Sequence, residues 1–124
     1  MKKPTYGENL FAWLLAGFFV VGGTLNIFAS PDIVADYQRW GYPPRFHYLT
    51  GALEWLAAVL IAAPMTRYVG SLLAGGIMIS AAATVVLNGE HDHAIAPLIV
   101  LALVAVNAWV TRRRAQTKGF SPKG

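Results

Sequence analysis

Charged residues along this chain are gathered into short clusters separated by long apolar stretches. No Asp, Glu, Lys or Arg occurs from Asn9 to Pro31, from Tyr68 to Gly89, or from His93 to Thr111, and Phe46–Thr66 holds one, Glu54. A bilayer core about 30 Å thick is crossed by roughly 20 helical residues. The pattern predicts four membrane-spanning helices, over residues 9–29, 46–63, 68–88 and 93–110, joined by short loops. The expected fold is all-α, an integral membrane four-helix bundle over 1–112 with a basic, disordered cytoplasmic tail over 113–124.

The segment between the first two spans is more than a loop. Ser30-Pro31-Asp32 reads as a helix start, with a capping hydroxyl, a proline at the first helical position and a carboxylate at the positive dipole end. Ile33, Val34, Tyr37 and Trp40 then recur at helical spacing, with Asp32, Asp36 and Arg39 elsewhere on the wheel, and Gly41 ends the run. This predicts a short amphipathic helix whose Tyr and Trp suit the membrane–water boundary. Tyr42-Pro43-Pro44 enforces an extended lead into the second span. Pro64–Arg67 is so short that the second and third spans must be antiparallel neighbours, and Asp92 is placed to cap the fourth.

Composition narrows the class. Of 124 residues, 56% are hydrophobic and 13% charged, and mean hydropathy is +0.48, which excludes a soluble enzyme with its own substrate domain. The net charge of +4 does not mark a nucleic-acid groove, because the basic residues sit at the chain ends. Termini in the cytoplasm put eight Lys and Arg inside (Lys2, Lys3, Arg67, Arg112, Arg113, Arg114, Lys118, Lys123), against Arg39 and Arg45 outside. The basic start and apolar stretch could also be a secretory signal, but some 20 apolar residues exceed the usual ~7–15 of such a core. Cysteine is absent, so thiol redox chemistry and thiolate-held metals are excluded.

Helices in lipid associate through small residues and interhelical hydrogen bonds. Gly76, Ser80, Thr84 and Asn88 form an i, i+4 stripe on the third span. Phe19, Gly22, Gly23 and Asn26 share a face of the first, and His47, Gly51, Glu54 and Ala58 a face of the second. The topology predicts that these faces converge in the outer half of the membrane, either as a packing interface alone or as a site. Glu54 is the sharpest feature, because a lone charge at mid-span costs roughly 2.5 kcal/mol or more. It reads either as a proton-handling or ligand-anchoring carboxyl, or as a neutral acid hydrogen-bonded across the bundle. The candidate ligand-binding set is Glu54, Gly51, His47, Asn26, Thr84 and Asn88, with Gly51 leaving room for a flat ring or a neighbouring backbone.

Other features carry less. His91 and His93, with Glu90 and Asp92, contain metal-competent donors, but an H-x-H in a loop is equally an ordinary solvated turn. Arg112-Arg113-Arg114 reads as a stop-transfer and lipid-headgroup contact. Trp13, Trp40, Trp55 and Trp109 suit boundary or packing roles. No nucleophile–base pair, glycine-rich phosphate loop or intramembrane bis-histidine pair is present, so no enzymatic reaction is legible.

Gly22-Gly23 with Asn26 and Phe28, Trp40-Gly41-Tyr42-Pro43, Gly51-Ala52-Leu53-Glu54, Pro64 with Arg67 and Gly70, and the run Ser80–Ala83 form a pattern along the chain. By these residues the chain, from Phe18 to about Val110, resembles the DoxX-like family of small four-span membrane proteins. Asn26 stands where the family often has lysine, and Thr84–Asn88 lacks a histidine common there. The resemblance implies a cell (cytoplasmic, inner) membrane protein, linked through the family's namesake to a thiosulfate–quinone oxidoreductase subunit. Two functions are then open. One is a membrane subunit binding a quinone or other small apolar ligand near Glu54, beside a membrane redox partner or in a homo-oligomer. The other is a non-catalytic assembly or interaction protein that docks a partner. A small transporter ranks behind both, because four short spans make a thin pathway.

Overall fold

The computed structural model describes residues 4–119, with side chains described to Arg114. The described chain is mostly helical: α1 (Tyr6–Ile27), α2 (Pro31–Arg39), α3 (Phe46–Ala62), α4 (Arg67–Leu87) and α5 (Ile95–Gly119), with single 3-10 turns at Pro64–Thr66 and His91–Ala94. Three helical stretches are long and apolar enough to cross a membrane, Tyr6–Ile27, Pro64–Leu87 and His91–Arg114; α3 is a shorter apolar helix. The molecule is thus an all-α membrane-type bundle with a short amphipathic helix between its first two long elements.

Helix ends follow local chemistry. Thr5 and Glu8 form a reciprocal capping box, Glu8 N–H to Thr5 Oγ1 at 3.1 Å and Thr5 N–H to Glu8 Oε1 at 2.9 Å, so α1 begins at Tyr6, ahead of the apolar run. Ser30 caps α2 by accepting the Ile33 N–H, with Pro31 in the first turn. Gly41 and Gly89 take φ of +87° and +77°, a region costly for residues with a Cβ, and turn the chain after α2 and α4. Asp92 joins the start of α5 through its carbonyl, which accepts the Ile95 N–H, not through a side-chain cap. Helix α5 continues to Gly119, carrying Arg112–Arg114 on its last turns, where the sequence reading expects an irregular tail from 113. Residues 120–124 of that tail lie outside the described residues.

Helices α1 and α3 pack together, α3 packs on α4, and α4 on α5. Apart from Phe19, the core is built mainly of small and medium residues, including Ala12, Ala57, Ile61, Ala74 and Val104. Close approach explains the glycines. A Cβ on Gly51 would lie 2.7 Å from the Gly23 carbonyl oxygen, and one on Gly70 would lie 2.7 Å from the Ile61 nitrogen. Large apolar side chains such as Leu14, Val21, Val59, Leu72, Ile99 and Val106 face outward. Small residues inside and large apolar ones outside is the arrangement expected where lipid is the solvent.

At the end of the bundle that carries α1's start, Arg67 is buried and fastens three helices. Its Nε donates to Ile61 O at 2.7 Å, Nη2 to Ala62 O at 3.0 Å and Nη1 to Asn9 Oδ1 at 3.0 Å. A guanidinium at the last carbonyls of α3 also opposes the negative end of that helix dipole. Trp13 Nε1 adds a bond to Ala62 O at 3.1 Å, and Glu8 pairs with Arg114. Deeper in the bundle, buried Asn107 donates to Ser71 Oγ at 2.8 Å, joining α5 to α4.

Candidate functional site

The opposite end, beneath α2, gathers the polar groups. Glu54 sits in the ninth position of α3 and is 5% exposed, against the α1 face that carries Gly22 and Gly23. Asn26, one turn above Gly22, donates from Nδ2 to Glu54 Oε1 at 2.7 Å and to Gly22 O at 3.1 Å. Tyr37 of α2 donates its hydroxyl to Asn26 Oδ1 at 2.8 Å. His47 Nδ1 lies 2.7 Å from the Asn26 backbone oxygen, and a carbonyl can only accept, so the ring proton is on Nδ1. One asparagine thus ties together α1, α2 and α3.

The roof over this cluster is aromatic. The Tyr37 ring lies 5.6 Å from that of Trp40, 5.7 Å from Tyr42 and 6.2 Å from both Phe46 and His47, while Tyr42 stacks on Phe46 at 4.4 Å. Burial pushes the Tyr37 phenol above its ordinary value, which keeps it a neutral donor. No residue of α2 is fully buried. The helix is held instead by Tyr37 and by a clasp in which Arg39 and Trp40 converge on Glu90, beyond the end of α4.

Of the residues singled out from sequence, Asn26, His47, Gly51 and Glu54 come together. Gly51 meets the backbone of Gly23, so α1 fills the space it leaves. Thr84 joins a separate contact, taking a hydrogen bond with the Tyr42 hydroxyl, while Asn88 is exposed and bonds back to Thr84 O at 2.8 Å. The stripe of Gly76, Ser80, Thr84 and Asn88 does not face the bundle. Helix α4 buries Gly70, Ser71, Ala74, Met78, Ala82 and Val85 instead, and a Cβ on Gly76 would touch nothing within 4 Å. Small residues lie on several sides of α4, and helix pairing, which spacing alone does not reveal, selects among them. His91 and His93 are exposed; His93 Nδ1 lies 3.2 Å from Glu90 Oε1, and His47 is held away on Asn26. Among the described residues no three His, Asp or Glu side chains are grouped as a metal site. The sequence reading places Tyr37 on the apolar side of the amphipathic helix and Arg67 in the loop before the third span without giving either its bonds, and the Ser71–Asn107 pair escapes it.

The Gly22-Gly23-x-x-Asn26 face and the Gly51-x-x-Glu54 face are thus one helix crossing with one polar cluster. The model of the DoxX-like family matches residues 10–107, the stretch that contains both. The chain belongs to this family. No curated protein and no solved structure matches it. Together with its apolar helices, membership makes this DoxX-like chain a multi-pass membrane protein. In this DoxX-like bundle the carboxyl of Glu54 is held on one side: Oε1 accepts from Asn26, and Oε2 has no hydrogen-bond partner among the described residues. A Cβ on Gly22 would lie 2.9 Å from Oε2, so the missing side chain makes room for the carboxyl itself.

Proposed function

We propose that the protein is a membrane subunit that binds a small apolar ligand, a quinone being one such class, between α1 and α3 beside Glu54. One observation carries this reading: a carboxyl inside the bundle, seated against Gly22, with one oxygen anchored on Asn26 and the other without a hydrogen-bond partner among the described residues. A purely structural acid would be expected to spend both oxygens on neighbouring helices, since unsatisfied polar groups in lipid are costly. His47, Gly51 and Asn26 shape the wall of such a site, and Thr84 lies under its aromatic roof. The excess of Lys and Arg near the termini supports a cytoplasmic-membrane location with both ends in the cytoplasm.

A second reading has its own support. The outward face of α4 presents Gly76 and Ser80 four residues apart with nothing packed on Gly76, a spacing that suits helix-to-helix docking. In that reading the protein is an assembly or interaction protein. Purification in mild detergent followed by mass spectrometry separates the two. A stoichiometric lipid-soluble molecule, lost in Glu54→Met, supports ligand binding. A stoichiometric polypeptide without such a molecule, lost in Gly76→Leu, supports assembly.

A further inference from the structure

The three consecutive arginines on the last turns of α5 take three different neighbours. Successive residues of an α-helix point about 100° apart, so a run of identical side chains is spread around the helix. Arg114 pairs with Glu8 of α1 and is committed to the bundle. Arg112 turns to α4, where its Nη1 donates to the Tyr68 hydroxyl at 3.2 Å and its guanidinium carbon lies 5.7 Å from the centre of the Tyr68 ring. Arg113 folds back along α5, its guanidinium carbon 4.8 Å from the centre of the Trp109 ring. Arg112 and Arg113 are both exposed, and no ion pair among the described residues includes either.

Neighbouring positive charges thus stand without a carboxylate, at an end of the bundle where acid is scarce. Glu8 is the single Asp or Glu in residues 1–31, 55–89 and 93–124, and Arg114 takes it. Tyr68 and Trp109 mark the depth, because they lie where the apolar helices run out into charge, the level at which such rings meet lipid headgroups. The ring contacts hold both guanidinium groups in place, so less freedom is lost when an anion docks. The Tyr68 hydroxyl accepts from Arg112 and keeps its own proton to donate. Further into the bilayer, Leu72, one turn along α4 from Tyr68, and Val106, two turns before Arg113, present exposed apolar side chains.

We propose that Tyr68, Arg112 and Arg113 form a headgroup site for an anionic phospholipid. Its phosphate accepts hydrogen bonds from the two guanidinium groups and the tyrosine, while its acyl chains run past Leu72 and Val106. Guanidinium N–H groups match phosphate oxygens in geometry as well as charge. A zwitterionic lipid carries its own cation beside the phosphate and meets further charge of that sign here. A soluble anion would gain the same polar bonds and none of the apolar contact. The site lies at the opposite end of the bundle from the Glu54 cluster, and its occupancy does not depend on any ligand there.

The test titrates full-length protein in dodecyl maltoside with dioleoyl phosphatidylglycerol and with dioleoyl phosphatidylcholine, and counts bound lipid by native mass spectrometry. Wild type should bind phosphatidylglycerol about tenfold more tightly than phosphatidylcholine. Arg112→Gln combined with Arg113→Gln should erase that preference. Arg112→Lys combined with Arg113→Lys keeps the charge but loses the planar groups, and should weaken phosphatidylglycerol about threefold. Tyr68→Phe keeps the ring and should also weaken it about threefold, leaving phosphatidylcholine unchanged. Lys118→Gln removes charge from the same helix and should change nothing. A diffuse basic surface would behave otherwise, with Lys118→Gln costing as much as either single arginine change and the lysine pair and Tyr68→Phe costing nothing. That result, or no preference in wild type, would overturn the site. Inorganic phosphate in large excess should leave the lipid bound; displacement by it would overturn the assignment to lipid. Melting temperatures of the variants should match wild type, and Tyr68→Phe alone decides the matter should the arginine pairs fail to fold.

Discussion

Arg39 and Glu90, separated by 51 residues, meet through two parallel bonds, Nε to Oε2 at 2.9 Å and Nη2 to Oε1 at 3.0 Å. Trp40 Nε1 adds a third bond to the same carboxylate at 3.2 Å. Planar guanidinium–carboxylate forks are the strong, directional ion pairs. This one ties the amphipathic helix α2 to the turn between α4 and α5, and so holds the roof over Glu54.

The clasp should open in acid. Arg39 and its neighbours hold the Glu90 carboxyl down at about 2, against an ordinary glutamate value of about 4.3. A carboxyl depressed in the folded state contributes fully above its ordinary value, and the contribution disappears as pH falls from there through about 2. The cysteine-free chain accepts a unique nitroxide at Gln38→Cys, whose spectrum should sharpen across that window. In Glu90→Gln it should already be sharp at neutral pH, with no step in acid.

Removing the Arg67 side chain strips charged donors from two carbonyls at the end of α3 and from Asn9. Arg67→Leu should lower stability by roughly 3 kcal/mol, from bonds to a charged group worth about 1.5–3 kcal/mol each with partial rescue by water. Arg67→Lys should recover a minor part, because one ammonium cannot reproduce the fork. Thermal unfolding in dodecyl maltoside reads both.

Two glycines should respond oppositely to the same change. Gly51→Ala places a methyl against the Gly23 backbone, which cannot swing aside, and should cost about 1–3 kcal/mol as overpacking does. Gly76→Ala meets open space and should be neutral or stabilising by up to about 1 kcal/mol through helix propensity. Parallel melting curves test the pair.

Tyr37→Phe deletes the bond to Asn26 Oδ1 and keeps the ring among Trp40, Tyr42 and Phe46. The expected loss is about 1 kcal/mol. Tyr37→Ala should lose more and should also free the Gln38 label, because the aromatic roof goes with it.

The division into apolar helices is legible because a bilayer interior rejects charge, and the absences between Asn9 and Pro31 or Tyr68 and Gly89 are as informative as any motif. Gly23 and Gly51 are legible as a close approach, and Asn26 and Glu54 as partners, because helix rise puts them at similar depth. The face of α4 is not legible. Gly70, Ala74, Gly75 and Gly76 put small residues around much of its circumference, and only contact with Ile61 and its neighbours on α3 chooses the Gly70 side. Arg67 reads from sequence as a solvated loop charge, since its burial depends on the α3 carbonyls folding back to meet it.

Helix α3 has 17 residues, where α1 has 22 and α4 has 21. At 1.5 Å per residue that is a rod of about 25 Å, set among longer ones in hydrocarbon about 30 Å deep. Acyl chains on the α3 flank must shorten locally to match it, and the energetic penalty grows with every added ångström of host thickness. The flank that suffers this mismatch bears Trp55, next in sequence to the buried Glu54, so membranes of different thickness will load the protein unequally at that place.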